Sequence, residues 1–333
     1  MSHPFVHPAA ESLLQRVAHL FSSRKAFLRK DRHIVFVCGG PIQHGPPQGT
    51  ATPSPHPPQS SQSIGQTSRA ASLRSQFLDY ADKQLINFRF FLAERASIDL
   101  LAHSEPQFLD LAAFELLISE IADCIVLFPE SAGSIAELGF FSNSKDVRKK
   151  ILLVNDQQYQ GSESFINLGP VNLINTWSNF RPSIVLDFQS RTIDFSPVRE
   201  KLTRLIRSSN RKAFVYKPVR QMNSFEKVSV VLELINIFQV VTLEHLLRIL
   251  ESAFEADEAD HGPDEVPTII SFLIALQLIE RKGDGEQYFV MGKNVESFID
   301  FDNITIDDIK AEILLYYREH EPETLGSLSR LIR

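Results

Sequence analysis

Residues 123–139, DCIVLFPESAGSIAELG, constrain the fold more than any other stretch: a continuous apolar run, a short loop at Pro129, and a helix start with the Glu137 carboxylate expected in its first turn. An apolar run without alternation, closed by a loop and followed by a helical pattern, reads as a buried parallel strand of an α/β sheet. In open sheets of that kind ligands collect at the carboxyl ends of the strands, and the free N–H groups of the next helix favour anionic groups. Glu137 would share that field. The field favours the ionised carboxylate, a group able to attack or stabilise an electron-poor sugar carbon. Ser134 and Glu137 also have the Ser-x-x-Glu spacing of a capping box, in which each side chain satisfies the other's backbone donor. Spacing leaves both readings open.

The rest of the chain fits a sheet around that unit. Residues 34–38 form a β-branched and aromatic run that ends at Gly39-Gly40-Pro41; residues 86–92, 150–154 and 182–188 supply further strands. Helical periods over residues 69–85, 107–121 and 197–208 separate them, which implies right-handed crossovers and a doubly wound, Rossmann-like parallel sheet. An amphipathic helix is expected over residues 9–28. Residues 44–67 switch to Pro, Gly, Ser and Gln with almost nothing apolar to bury, the composition of a loop or disordered insertion. After the basic stretch 207–217 the pattern becomes mostly helical: periods over 225–238, 242–254 and 266–276, then two short strands around Gly283-Asp284-Gly285 within 279–291. That order is winged-helix-like. The expected division is an N-terminal helix at 1–30, an α/β domain at 31–215 with its insertion, and a winged-helix-like domain at 216–333.

Composition excludes several classes. The chain has 333 residues, enough for two domains, and its apolar runs are too short to span a bilayer. The N-terminus lacks the basic start and apolar core of a signal peptide, so a cytoplasmic protein is the expectation. Cys38 and Cys124 sit in apolar runs without partners at metal-ligand spacing, and read as buried hydrophobes in a reducing compartment. No metal and no cofactor are called for. The net charge of −7 is uneven: residues 1–215 carry 23 Lys and Arg against 19 Asp and Glu, and residues 216–333 carry 11 against 22. An acidic C-terminal part argues against broad contact with phosphate backbones, and 266–276 has no basic side chain for the major groove.

Other candidate site residues follow from position. Gly39 and Gly40 end the first strand, where a missing side chain lets backbone approach a ligand, although a plain turn would need them too. Ser131, Gly133 and Ser134 could cradle a phosphate or a ribose hydroxyl at the helix start, or serve turn and cap chemistry. Glu130, after Pro129, could bind ribose hydroxyls or hold a water if it faces the pocket. Glu94 is a weaker candidate of the same kind. Asn143 has the chemistry of a helix stop, and in the segment 165–170 Gly169-Pro170 has that of a turn.

The run FPESAGSIAELGFFSN at 128–143, with VFVCGG at 35–40 and SFINLGP at 164–170, resembles the nucleoside deoxyribosyltransferase-like effectors of bacterial retrons, over roughly residues 30–180 and more loosely the C-terminal part. The resemblance implies a deoxyribosyltransferase-like fold and a nucleophilic role at the anomeric carbon for the Glu of Gly-x-x-x-Glu-Leu-Gly, which falls on Glu137 between Gly133 and Gly139. Such transferases hold the base with an Asp six residues earlier, where this chain has Ser131; free base transfer is therefore not expected. What the resemblance implies instead is an N-glycosidase that hydrolyses the N-ribosyl bond of a nucleotide, with NAD as substrate; the alternatives are a nucleotide-sensing module of the same fold, with Glu137 only a cap, and a regulator acting through the winged helix. It also implies a toxin of antiphage defence, silenced in complex with the retron reverse transcriptase and its DNA–RNA product. No membrane partner is implied, and self-association into a homo-oligomer is left open.

Overall fold

The computed structural model describes residues 4–23, 25–30, 32–41, 71–94, 111–206, 212–255, 265–283, 287–301 and 306–331. Residues 44–67 and the hairpin residues Asp284 and Gly285, for which a loop and a turn are expected, lie outside these. The fold comprises two compact units. One is Met1–Phe36 with Asn87–Cys124 and Thr203–Arg333, and the other is Val37–Ile86 with Ile125–Leu202.

Along the chain the elements are α1 (Ala9–Ser23), β1 (Ala26–Leu28), β2 (His33–Cys38), α2 (Leu73–Gln84), β3 (Phe88–Phe91), α3 (Leu111–Ile121), β4 (Cys124–Leu127), α4 (Ala132–Asn143) and β5 (Ile151–Asp156). A π-helical turn at Asn167–Val171 runs into α5 (Asn172–Trp177), followed by β6 (Ile184–Leu186), α6 (Ser196–Ile206) and β7 (Lys212–Phe214). Then come α7 (Ser224–Phe238), α8 (Leu243–Phe254), α9 (Glu265–Ala275), β8 (Ile279–Lys282), β9 (Tyr288–Met291), β10 (Ile299–Phe301), α10 (Asp307–His320) and α11 (Pro322–Leu331).

The five strands expected of the α/β sheet are all present, in the order β3-β2-β4-β5-β6, with β2–β3, β4–β5 and β5–β6 paired in parallel. Every residue of β4 and β5 is buried, as strands covered on both faces require. Ranked along the chain, the order is 2-1-3-4-5. It reverses between β2 and β4, and in such sheets the reversal is where a ligand crevice opens. Beneath it Phe77 of α2, Phe128 after β4 and Phe195 before α6 pack ring against ring at 5.5–6.3 Å. Burying rings of this size contributes on the order of 2–3 kcal/mol each.

One expectation is overturned at the N-terminus. Residues 26–28 form not the end of the first helix but β1, which pairs antiparallel with β7 and β10. Ala26 and Leu28 are buried and Phe27 is not, so the strand alternates, but its partners lie nearly two hundred or more residues away and no local pattern announces them. α1 stops at Ser23 and buries Leu13, Leu14, Val17, Leu20 and Phe21 along one face, as its period predicts. In the same unit α7, α8 and α9 precede the antiparallel pair β8–β9, and Val241 bridges to Phe289. Cys38 and Cys124 are buried thiols. Among the described residues no helix is long and apolar enough to cross a membrane.

Candidate functional site

The loop between β4 and α4 is held by its own serines. Ser131 is extended (φ −142°, ψ 162°), and its hydroxyl accepts the N–H of Ser134 at 3.2 Å. Ser134 Oγ in return accepts the N–H groups of Ser131 and Glu130 at 3.0 and 3.1 Å. The capping box therefore pairs Ser131 with Ser134, and the alternative in which Ser134 and Glu137 cap the helix is ruled out. The helix starts three residues sooner than that spacing suggests, because a Ser side chain at its third position reaches the cap N–H as a Glu would. Glu137 thus stands in the second turn, half-buried, with Oε2 out of solvent.

Glu130 is committed to the protein's own backbone. Its Oε1 accepts the N–H groups of Gly40 at 2.8 Å and Arg74 at 3.0 Å, and its Oε2 accepts that of Leu73 at 2.7 Å. Leu73 and Arg74 open α2, whose cap is the Ser72 hydroxyl, accepting from Ser75 at 3.2 Å. The glycines make room for this. A Cβ on Gly39 would lie 2.7 Å from Arg74 Cβ and 2.9 Å from Glu130 Oε1, and one on Gly40 would lie 3.1 Å from both Glu130 Cδ and Ser72 Cβ. Close packing within the chain thus requires Gly39 and crowds Gly40, where ligand approach is the alternative the sequence allows.

Beside this junction opens a cleft of ≈ 1030 Å³, at the upper end of the size of small-molecule sites. Its walls come from the start of α2, the 129–135 segment, the end of β5, residues 158–167 and residues 188–191. Of the residues singled out in the sequence, Glu130, Ser131 and Asn167 line it; among the described lining residues Gly39, Gly40, Gly133, Ser134 and Glu137 do not appear. Helix geometry explains the split on α4. Ser131, Ala132 and Ile135 share a face, while Glu137 follows Ile135 by about 200° of rotation and leaves on the far side. There it has Gly133 one turn before it, where a Cβ would meet nothing nearer than Ser131 Oγ at 3.9 Å, and the half-exposed Phe140 after it.

Sequence reasoning misses the polar end of β5. Asn155 and Asp156 are buried, continue the ladder opposite Val185 and Leu186, and line the cleft. Asp156 accepts the backbone N–H of Gln158 at 3.1 Å and its side-chain amide at 2.6 Å. The available signal is the Asn-Asp pair directly after Ile-Leu-Leu-Val, at the end of the strand where ligands gather. Asn167 fixes the opposite wall: its Nδ2 donates to Tyr159 O at 2.8 Å, Ser162 O at 2.9 Å and Ser162 Oγ at 2.7 Å. Asp123, at the head of the 123–139 segment, is structural. Burial alone would raise its pKa, but hydrogen bonds from His33, Lys30 and the Ile34 N–H, with the charge on Lys30, outweigh that and bring it down to about 2. Glu94 is exposed. Among the described residues no group of three or more His, Cys, Asp or Glu is placed to hold a metal ion.

Comparison with known proteins gives three findings. A family model described as "STM3845 retron effector protein" matches residues 70–281. An Escherichia coli protein named "Retron Ec73 putative ribosyltransferase/DNA-binding protein" is 24% identical over 332 residues, spanning 94% of this chain and 95% of its own length. A second E. coli protein, "Retron Ec86 putative ribosyltransferase/DNA-binding protein", is 29% identical over 241 residues, 67% of this chain and 77% of its own.

Proposed function

This chain belongs to the STM3845 retron effector family, and from that premise we propose that it is an N-glycosidase that hydrolyses the N-ribosyl bond of a nucleotide, with NAD as its substrate. The observation that carries the proposal is Glu137, half-buried in the second turn of α4 beside the bare backbone of Gly133. A sugar can stand over Gly133 and meet the carboxylate. In NAD the leaving group is a cationic nicotinamide, so departure with the bonding electron pair yields a neutral base and needs no strong general acid. A carboxylate that stabilises or captures the oxocarbenium-like sugar suffices, and water completes the hydrolysis. The ribosyltransferase in both relatives' names fits this chemistry, since transfer and hydrolysis differ in the acceptor. Consumption of NAD would make the chain the toxin of an antiphage system, held silent by the retron reverse transcriptase and its DNA–RNA product. In this reading residues 31–215 act as the catalytic part, preceded within residues 1–30 by α1 and β1. Residues 216–333 form a winged-helix-like part, supported by the order α7-α8-α9-β8-β9 and the Val241–Phe289 bridge.

A second reading has one specific observation behind it: Glu137 leaves α4 on the side away from the cleft residues. The cleft would then bind a nucleotide as a sensor, without chemistry. Incubating purified protein with NAD and assaying nicotinamide separates the two. Release by the parent, lost by at least about 100-fold in Glu137→Gln with an unchanged melting curve, is the expected result. Release by Glu137→Gln at the parent rate would remove Glu137 from the chemistry, and no release by the parent would favour the sensor.

A further inference from the structure

The strand order reverses between β2 and β4, and the chain leaves those strands through Gly39-Gly40 and through Pro129-Glu130-Ser131. In doubly wound sheets this junction, with the N-terminus of the helix that follows, receives a ligand's phosphate on converging backbone N–H groups. Here the converging donors are already taken. Gly40 from the loop after β2, and Leu73 and Arg74 from the first turn of the 12-residue α2, all donate to the one Glu130 carboxylate at 2.7–3.0 Å. These are charge-assisted bonds set in the field of a helix N-terminus. The two glycines close around the same group, so nearly that a Cβ at Gly39 would stand 2.9 Å from Glu130 Oε1.

We propose that Glu130 is an internal anion occupying the phosphate position of this switch point, a positioning residue that closes the donors of Gly40, Leu73 and Arg74 to anionic ligand groups. A nucleotide is thereby steered away from those donors, into the part of the cleft bordered by Asn155 and Asp156 at the end of β5. The inference rests on the second reading above, in which the cleft receives the nucleotide. It reassigns Glu130 from contact with ribose hydroxyls to control of where charge can sit: a second anion at those backbone donors would face the carboxylate without free donors.

Melting curves of the parent, Glu130→Ala and Glu130→Gln in chloride, acetate and inorganic phosphate at matched ionic strength test this. Glu130→Ala should melt below the parent in chloride, and acetate or phosphate should restore most of the loss saturably by refilling the vacated donors. The parent and Glu130→Gln, whose side chains still fill the space beside those donors, should respond no more than to chloride. A loss of mere packing would not discriminate among anions. Because the alanine variant could fail to fold, the parent gives a second readout: in a phosphate titration the amide resonances of Gly40, Leu73 and Arg74 should stay in place. Equal responses of variant and parent to all three salts, or phosphate-dependent movement of those amides in the parent, would overturn the proposal. Neither readout involves glycosidic cleavage, so its failure and that of the N-glycosidase reading are separately visible.

Discussion

Two carboxylates in the unit that holds the C-terminal helices, Glu321 part-buried and Glu233 fully buried, show how a residue's partners decide its charge. Burial of Glu321 alone would raise its pKa, yet bonds from His245 Nε2 at 2.8 Å and from the Phe5 N–H at 2.8 Å outweigh it, and the group is held below its ordinary value. Glu233 on α7 has weaker company: Ser297, the Asn236 amide at 3.3 Å and the charge of Lys310 do not offset complete burial, which pushes it up to about 7. The sign of the pH effect follows. With a folded pKa above the unfolded 4.5, the folded state binds the extra proton, so stability falls as pH rises from about 4.5 to about 7 and is flat above. Glu233→Gln keeps the shape and cannot ionise. It should remove that slope and raise stability at pH 8, by on the order of 1–3 kcal/mol, while matching the parent near pH 5. Parallel melting temperatures of variant and parent across this range would show that Glu233 does not titrate there.

At the scale of elements, the start of α4 decides what the site can hold. Ser131→Ala removes the hydroxyl that caps the helix and supports Ser134, and should cost about 1 kcal/mol in denaturant midpoint at unchanged slope. Glu137→Gln, which takes no part in the cap, should leave that midpoint nearly unmoved. The contrast checks the reassignment of the box directly. The sheet is legible because residues 34–38, 124–127 and 151–154 are apolar without interruption, and five strand-like runs separated by helical periods admit few topologies. The cap is not, because Ser131 and Ser134 are equally good cap residues by type, and only the extended backbone after Pro129 selects the first. Likewise β1, β7 and β10 are three residues each and find one another across most of the chain. Of the site, Glu130 and Ser131 could be placed from their position at a strand end. The Asn155-Asp156 wall is missed because the apolar run predicts a strand end at Val154, whereas β5 continues to Asp156. Glu137 stands out by resemblance alone, since nothing in its spacing separates a nucleophile from a cap.

Over the whole molecule, the distribution of charge bears on what the chain touches. Both relatives carry "DNA-binding" in their names, and α7-α8-α9 with β8–β9 is the order in which a DNA reader would present its third helix. In this chain that helix, α9, reads EVPTIISFLIA, has no Lys or Arg, and buries Val266, Ile269, Ile270, Phe272 and Leu273. The cations of the adjacent pair are engaged: Arg281 lies over the Phe289 ring at 5.2 Å, and Lys282 pairs with Glu280 at 2.5 Å. With 22 acidic residues against 11 basic ones in residues 216–333, a phosphate backbone meets net repulsion there. The full chain titrated with random duplex DNA at two salt concentrations should therefore bind no more tightly than about 10⁻⁶ M, with a shallow salt dependence from few phosphate contacts. Contact with retron components would then run through protein surfaces or through the more basic residues 1–215. Tight binding with a steep salt slope would place enough cations on one face to neutralise several phosphates, and the names of the relatives would then describe this chain as well.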